Sequence, residues 1–291
     1  MQFAFFGSPW FAATILEKLI TGGFVPSVVV CNPDRPVGRK HVLTAPAVKT
    51  GILNMEYGIR EKISILQPEK LNPSTFQIPH SKFDFFIVAA YANIIPHSIL
   101  TLPRLGVIGI HPSLLPRHRG PTPIQSAILA GDEEAGTTLF LMDSKIDHGP
   151  VLAQQRLNLK NSKGLTLDEM NYKELETTLA ELSGKLLLET LPDFLEEKIK
   201  PIPQDESKAT YTKKFMTQDA FIEEKDLIAA ESGDNENATI IDRKIRALNP
   251  EPGTWTMRNG KRMKLLEAKI RDGKLVLTKI QVEGKKPQEV G

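Results

Sequence analysis

One histidine closes an apolar run and opens a stretch dense in proline, glycine and basic groups: GVIGIHPSLLPRHRGPTPIQ, 106–125. An imidazole gains and loses a proton near neutral pH. Strand C-terminal ends carry the sites of open parallel α/β sheets. His111, just before Pro112, is therefore a candidate for proton transfer, and the alternative is a histidine in a buried turn. Gly109 lies two residues earlier and shares its strand face. Arg117, His118 and Arg119 add charge, for which a solvated loop accounts equally. Asp147, in KIDHGP, is the second candidate. A carboxylate there can simply cap a turn. Beside His111 it would orient the imidazole and stabilise its charged form.

Other chemistries lack their residues. Ser113 has no G-x-S-x-G elbow. GSPWFA, 7–12, lacks the dinucleotide fingerprint, and neither a phosphate-binding P-loop nor H-E-x-x-H occurs. Cys31 is the single cysteine, which excludes an internal disulfide and a cysteine-cluster metal site. No metal is expected.

The elements that must position these residues read as an alternation of strands and helices. QFAFF (2–6), FVPSVVVC (24–31), ISIL (63–66), DFFIVAA (84–90) and VIGI (107–110) read as strands. Helices are expected at 10–20, 46–57, 123–130 and 167–189, and a strand pair at 137–142 and 151–159. Residues 32–45 read as a loop and 192–210 as mostly linker. A helix at 242–248 is followed by short strands separated by Asn259-Gly260 and Asp272-Gly273, strong hairpin signals. These patterns predict an α/β fold with a mostly parallel sheet over 1–191, a linker over 192–210, and a small barrel-like β module over 211–291.

The 291 residues are 41 % hydrophobic and 25 % charged, an ordinary globular composition that excludes disorder or coiled coil throughout. No apolar run reaches membrane-span length. The N-terminus reads as a first strand rather than a signal peptide, so a cytoplasmic protein is expected; a monomer is expected as well. Residues 243–291 hold 13 basic and 5 acidic groups, net +8. That segment is either a footprint for a polyanion or a solvated lysine-rich surface.

Several longer stretches carry a resemblance: GSPWFA (7–12), NPDRPVGR (32–39), APAVK (45–49), LQPEKL (66–71), VAAY (88–91), HPSLLPRHRGPTPI (111–124), MDSKIDHGPVL (142–152), QDESKATY (204–211), RKIRALNPEPGTW (243–255) and QVEGKK (281–286). Over essentially its whole length the chain resembles the folate-dependent formyltransferase family. The 111–124 signature is shared by members acting on sugar amines and on glycinamide ribotide. The 32–39 loop and the C-terminal matches resemble the branch acting on tRNA.

The resemblance implies a Rossmann-like formyltransferase domain and a C-terminal domain like an oligonucleotide-binding barrel. It implies formyl transfer from 10-formyltetrahydrofolate, as cosubstrate, to the α-amine of methionine on initiator tRNA. His111 and Asp147 match the family's catalytic histidine and acid. Ser113, Leu114, Leu115 and Pro116, with Ala89 and Tyr91, match the folate-binding stretch. Arg39, beside Lys40, matches a basic residue engaging the acceptor end of tRNA; independently, the net +8 of residues 243–291 makes Lys261, Arg262 and Lys264 expected contacts to the RNA phosphates.

Three positions depart from the family pattern: Gly109 for an asparagine, Ala92 for a glycine and Glu251 for a tryptophan. A missing amide at 109 implies weakened catalysis, since one oxyanion donor is worth about 10²–10³ in rate. Asparagine restored there is expected to raise the rate by about 10- to 1000-fold. The rival readings are a sugar-amine or other small-amine N-formyltransferase, and a catalytically silent folate- or tRNA-binding protein.

Overall fold

The computed structural model describes residues 1–38, 40–72, 83–157 and 167–290. In chain order the first elements are β1 (Phe3–Phe6), α1 (Trp10–Thr21), β2 (Val28–Val30), β3 (Arg35–Val37), β4 (Val42–Thr44), α2 (Ala47–Leu53), α3 (Tyr57–Arg60), β5 (Ser64–Leu66), β6 (Phe85–Ala89), α4 (His97–Leu100) and β7 (Val107–His111). There follow α5 (Pro123–Ala130), β8 (Gly136–Leu141), β9 (Val151–Arg156), α6 (Tyr172–Leu195), α7 (Glu224–Ser232), α8 (Asn235–Leu248), β10 (Trp255–Arg258), β11 (Lys261–Arg271), β12 (Lys274–Val282) and β13 (Gln288–Glu289).

The chain forms two compact units. The first is built on a seven-stranded sheet of order β5-β2-β1-β6-β7-β8-β9. The pairings from β5 through β7 are parallel, and β8 and β9 are antiparallel. Burial on both faces explains the unbroken apolar runs in the sequence. Ala4, Phe6, Val28, Val30, Phe86 and Val88 form the core on one face. On the other, Phe3 stacks on Phe85 at 4.8 Å and Phe194 of α6 meets Phe85 edge-on.

The second unit takes in Gly120–Ala135 and the chain from Tyr211 onward. Its strands form an antiparallel sheet of order β10-β11-β12-β13. Both expected turns are present, with Asn259-Gly260 and Asp272-Gly273 at positive φ. Ile241 and Ile245 of α8 and Leu227 of α7 pack with Leu265, Leu275 and Ile280 of the sheet. Two helices back this sheet, and among the described residues no pairing joins β10 to β13.

Four expectations are corrected. The loop expected at 32–45 contains the hairpin β3–β4. The helix expected to end at 189 runs to Leu195, with Pro192 in its last turn. The linker expected at 192–210 is tied down within the first unit: Ile202 and Val151 exchange N–H···O bonds of 2.7 and 2.9 Å. The strand expected at 151–159 ends at Arg156, and its last two residues lie outside the described ones.

Candidate active site

Parallel pairing of β6 with β7 brings Ala89 and His111 to the same sheet end, with Ala89 opposite Ile110. His111 is only 6 % exposed. Its Nε2 lies 2.8 Å from the carbonyl oxygen of His118. A carbonyl only accepts, so this contact places a proton on Nε2. Nδ1 faces Asp147 Oδ2 at 3.5 Å. A second proton, on Nδ1, exists only in the imidazolium, so the carboxylate is placed to stabilise that form. The His118 carbonyl is itself fixed, because its residue sits at φ +62° and its N–H donates to Thr210 Oγ1 at 2.8 Å.

Asp147 occupies a turn with φ +47°. Two residues on, a Cβ on Gly149 would overlap the Leu141 carbonyl oxygen, so the turn closes only with glycine there. His148 Nδ1 lies 2.6 Å from Asp143 Oδ2. The Gln204 amide nitrogen donates to the Asp147 and Gly149 carbonyls at 2.9 and 2.8 Å.

Arg119, expected as part of a charged loop, is fully buried. Its guanidinium donates to Gln204 Oε1 and to both oxygens of Glu206. The hydrogen bonds from Arg119 hold the Glu206 carboxyl below the usual carboxylate range. A carboxylate whose folded pKa is depressed stabilises the fold above its unfolded value, and that contribution disappears as pH falls through the folded one. Glu206→Gln is therefore expected to lower Tm at neutral pH, and the gap to the native chain should close below about pH 4. Thermal melts of both proteins from pH 7 to pH 3 test this; a pH-independent gap would mean that charge is not what Glu206 contributes.

Gly109 faces Phe140 across the β7–β8 pairing. A Cβ at 109 would lie 2.5 Å from Cε1 and Cζ of that ring and 3.0 Å from Met142 Cγ. The expectation that asparagine alone would restore a donor is thereby corrected, because the space it needs is filled by a buried ring.

The 113–116 stretch alternates. Ser113 and Leu115 are buried. Ser113 Oγ donates to the Arg117 carbonyl, Leu115 N–H donates to Thr138 Oγ1, and the Leu115 carbonyl accepts from Gln154. Leu114, Pro116 and Tyr91 are half-buried. Tyr91 packs its ring edge-on to Phe6 at 5.7 Å.

Arg39 lies outside the described residues. Lys40 is exposed just after β3. That hairpin is anchored where Lys49 Nζ meets both Asp34 oxygens and Gln67 Oε1 at 2.8–3.0 Å. Hydrogen bonds from Gln67 and Lys49 hold the Asp34 carboxyl below its usual range.

In the second unit, β11 separates the three expected RNA contacts. Met263 and Leu265 are buried, which puts Lys261 on their face and Arg262 with Lys264 on the other. The Arg262 guanidinium lies 4.1 Å over the Trp255 ring, and Trp255 pairs with Lys264.

Sequence reading had missed Gln204, Glu206, Arg119 and Phe140 as parts of the site. Gln204 and Arg119 lie in the stretches that carry the resemblance, yet residue type alone gave them no role.

Comparison with known proteins adds an independent line. The family described as Formyl transferase matches residues 1–190, and the Formyl transferase C-terminal domain matches 235–274. A methionyl-tRNA formyltransferase from Chloroflexus aurantiacus is 36 % identical over 93 % of this chain and 80 % of its own. Among solved structures, a methionyl-tRNA formyltransferase from Clostridium thermocellum superposes with TM-score 0.61 at 14 % identity, over 97 % of this chain and 98 % of its own. An N-formyltransferase from Helicobacter canadensis, in complex with folinic acid and dTDP-3-aminofucose, gives 0.62 at 15 %, over 92 % and 87 %.

Proposed function

Because this chain belongs to the formyl transferase family, we propose that it transfers a formyl group from 10-formyltetrahydrofolate to the α-amine of methionine carried by initiator tRNA. A formyl transfer from a folate-type donor is the activity of the family. The observation that carries the reading to this chain is the buried His111, held between the His118 carbonyl and the Asp147 carboxylate at the C-terminal edge of the parallel strands.

The surroundings of that edge fit a folate. The polar groups of Ser113 and Leu115 are engaged inward, while Leu114, Pro116 and Tyr91 stay half-buried and offer partly apolar surface suited to a planar ring; the Ala89 side chain is fully buried and offers none. When bound, the folate supplies an activated formyl carbon on a nitrogen leaving group. The attacking amine must lose a proton and the departing nitrogen must gain one. His111 is the group placed to hold that proton, and Asp147 stabilises the charge it then carries. Gly109 contributes no side-chain donor toward the formyl oxygen, so we propose a slower chemical step than in a site that accommodates an asparagine side chain beside a smaller residue at 140.

The tRNA assignment rests on 36 % identity across nearly the whole chain, on the net +8 of residues 243–291, and on Arg262 stacked over Trp255. In this reading residues 1–191 bind the folate and 211–291, with Arg39 and Lys40, meet the RNA. The protein acts as a cytoplasmic monomer; among the described residues no helix is long and apolar enough to cross a membrane.

The decisive assay offers formyl donor with methionyl-initiator tRNA and, in parallel, with a nucleotide-linked amino sugar. Formylation of the tRNA and not the sugar is expected, and the reverse would overturn the assignment. Binding gives a second expectation. Arg262→Ala and Lys264→Ala should each weaken tRNA binding and lower the slope of log affinity against log salt by about 1. Lys261→Ala, on the other face of β11, should change that slope less. Equal effects from all three would remove the directional interface.

A further inference from the structure

We propose that Arg119 and Gln204 are positioning residues for Asp147: the buried guanidinium fixes the Gln204 side-chain amide, and that amide holds the Asp147 turn so that its carboxylate faces His111. The inference rests on the reading of His111 and Asp147 given above.

A fully buried guanidinium is costly unless paired and hydrogen-bonded. Arg119 meets this with Glu206 on two nitrogens, at 3.0 and 2.6 Å, and with Gln204 Oε1 on two, at 3.1 and 2.8 Å. With Oε1 pinned on the guanidinium, the amide nitrogen must point away from it. It points at two acceptors, the carbonyls of Asp147 and Gly149. A flipped amide would set its oxygen against both carbonyls and its nitrogen against a cation, so one orientation is enforced.

The turn needs such a hold. Asp147 sits at φ +47°, a left-handed conformation that aspartate adopts more readily than most non-glycine residues but that remains uncommon without a support from outside the turn. Asp143 braces the neighbouring His148 from within the loop. Gln204 ties the Asp147 backbone to a segment 57 residues distant in sequence. That segment is anchored in turn by the Ile202–Val151 pair. A small drift of the turn would widen the 3.5 Å approach of Asp147 to His111.

Two measurements on the full chain test this. The first is the ¹⁵N chemical shift of the His111 ring nitrogens, which reads the Asp147 contact without any turnover. Asp147→Asn sets the reference change. Gln204→Ala and Gln204→Glu should move the signals the same way, by at least half as much, and Arg119→Lys should fall between them and the native chain. The second is kinetic. Gln204→Ala should lower kcat about 10- to 100-fold, as a misplacement near 1 Å does, with KM for the folate donor changed less than threefold. On an Asp147→Asn background it should lower kcat by less than twofold more.

Ring signals unmoved in the Gln204 variants, or unmoved by Asp147→Asn itself, would overturn the proposal, as would a full further loss on the Asp147→Asn background. If Gln204→Ala fails to fold, Gln204→Glu decides, since it keeps the acceptor for Arg119 and loses both donors. A native chain without formyl transfer to any amine would overturn the proposed function and leave the ring signals to decide the positioning role.

Discussion

Replacing Asp147 by asparagine is expected to lower formyl transfer at saturating substrate by about 100- to 10,000-fold, the range of a general acid–base contribution, while the protein stays folded. The substitution is nearly isosteric. Asp147 keeps its backbone bond from Gln204, because that bond uses the main-chain carbonyl. What it loses is the negative charge 3.5 Å from His111 Nδ1. With Nε2 committed to the His118 carbonyl, the ring holds a transferred proton on Nδ1, and that proton loses its counter-charge. His111→Ala should cost a similar factor. The double variant should be no more than severalfold worse than either single one, because two groups acting as a unit are non-additive. Steady-state kinetics of the three variants, with circular dichroism to check folding, would settle the pairing; losses that multiply would separate the two residues.

The second large effect concerns Gly109 and Phe140 together. Gly109→Asn alone should destabilise the protein, by about 1–3 kcal/mol for overpacking a filled core, and should not raise kcat. The new Cβ would meet two ring atoms of Phe140 at 2.5 Å. Phe140→Leu removes both of those atoms, together with Cε2, and keeps an apolar side chain. Gly109→Asn combined with Phe140→Leu should therefore raise kcat about 10- to 1000-fold over Phe140→Leu alone, the range of one donor aimed at a developing oxyanion. The folate KM should change little, since such a donor acts in the transition state. A double variant no faster than Phe140→Leu would mean that no donor is missing from this strand.

The parts of this fold that were legible in the sequence are those in which a residue's partner lies nearby or in a periodic pattern. FAFF, VVV and VIGIH read as buried strands because every position is apolar and both sheet faces are covered. His111 and Asp147 were legible as candidates because both sit at turn-flanked ends. Arg119 was not, since burial of a guanidinium depends on Gln204 and Glu206, more than 80 residues away. The Gly109–Phe140 conflict was equally hidden, because it depends on the β7–β8 register.

The helix expected at 242–248 begins at Asn235, and the signals for that start are legible in the sequence. Gly233 ends α7 at φ +115°, and Asp234 accepts from the N–H groups of Glu236 and Asn237. That Gly-Asp pair is a stop followed by a start. Pro192 misled in the other direction. Near a helix end it removes one hydrogen bond without ending the helix.

The second compact unit is discontinuous in sequence, and this limits how it can be moved between genes. Gly120–Ala135 belongs with the chain from Tyr211 onward. Arg243 of α8 lies against Gly131, closely enough that a Cβ there would overlap its guanidinium. Arg246 donates to the Met170 carbonyl at 2.9 Å. A fragment starting at 211 would leave the α5-facing side of α8 bare and these cations without their seats. Recombination or truncation at that boundary would therefore deliver an unfinished module rather than a transplantable cassette. Heritable exchange of this unit requires all three separate stretches of its gene, including the one that carries Met170, to travel together.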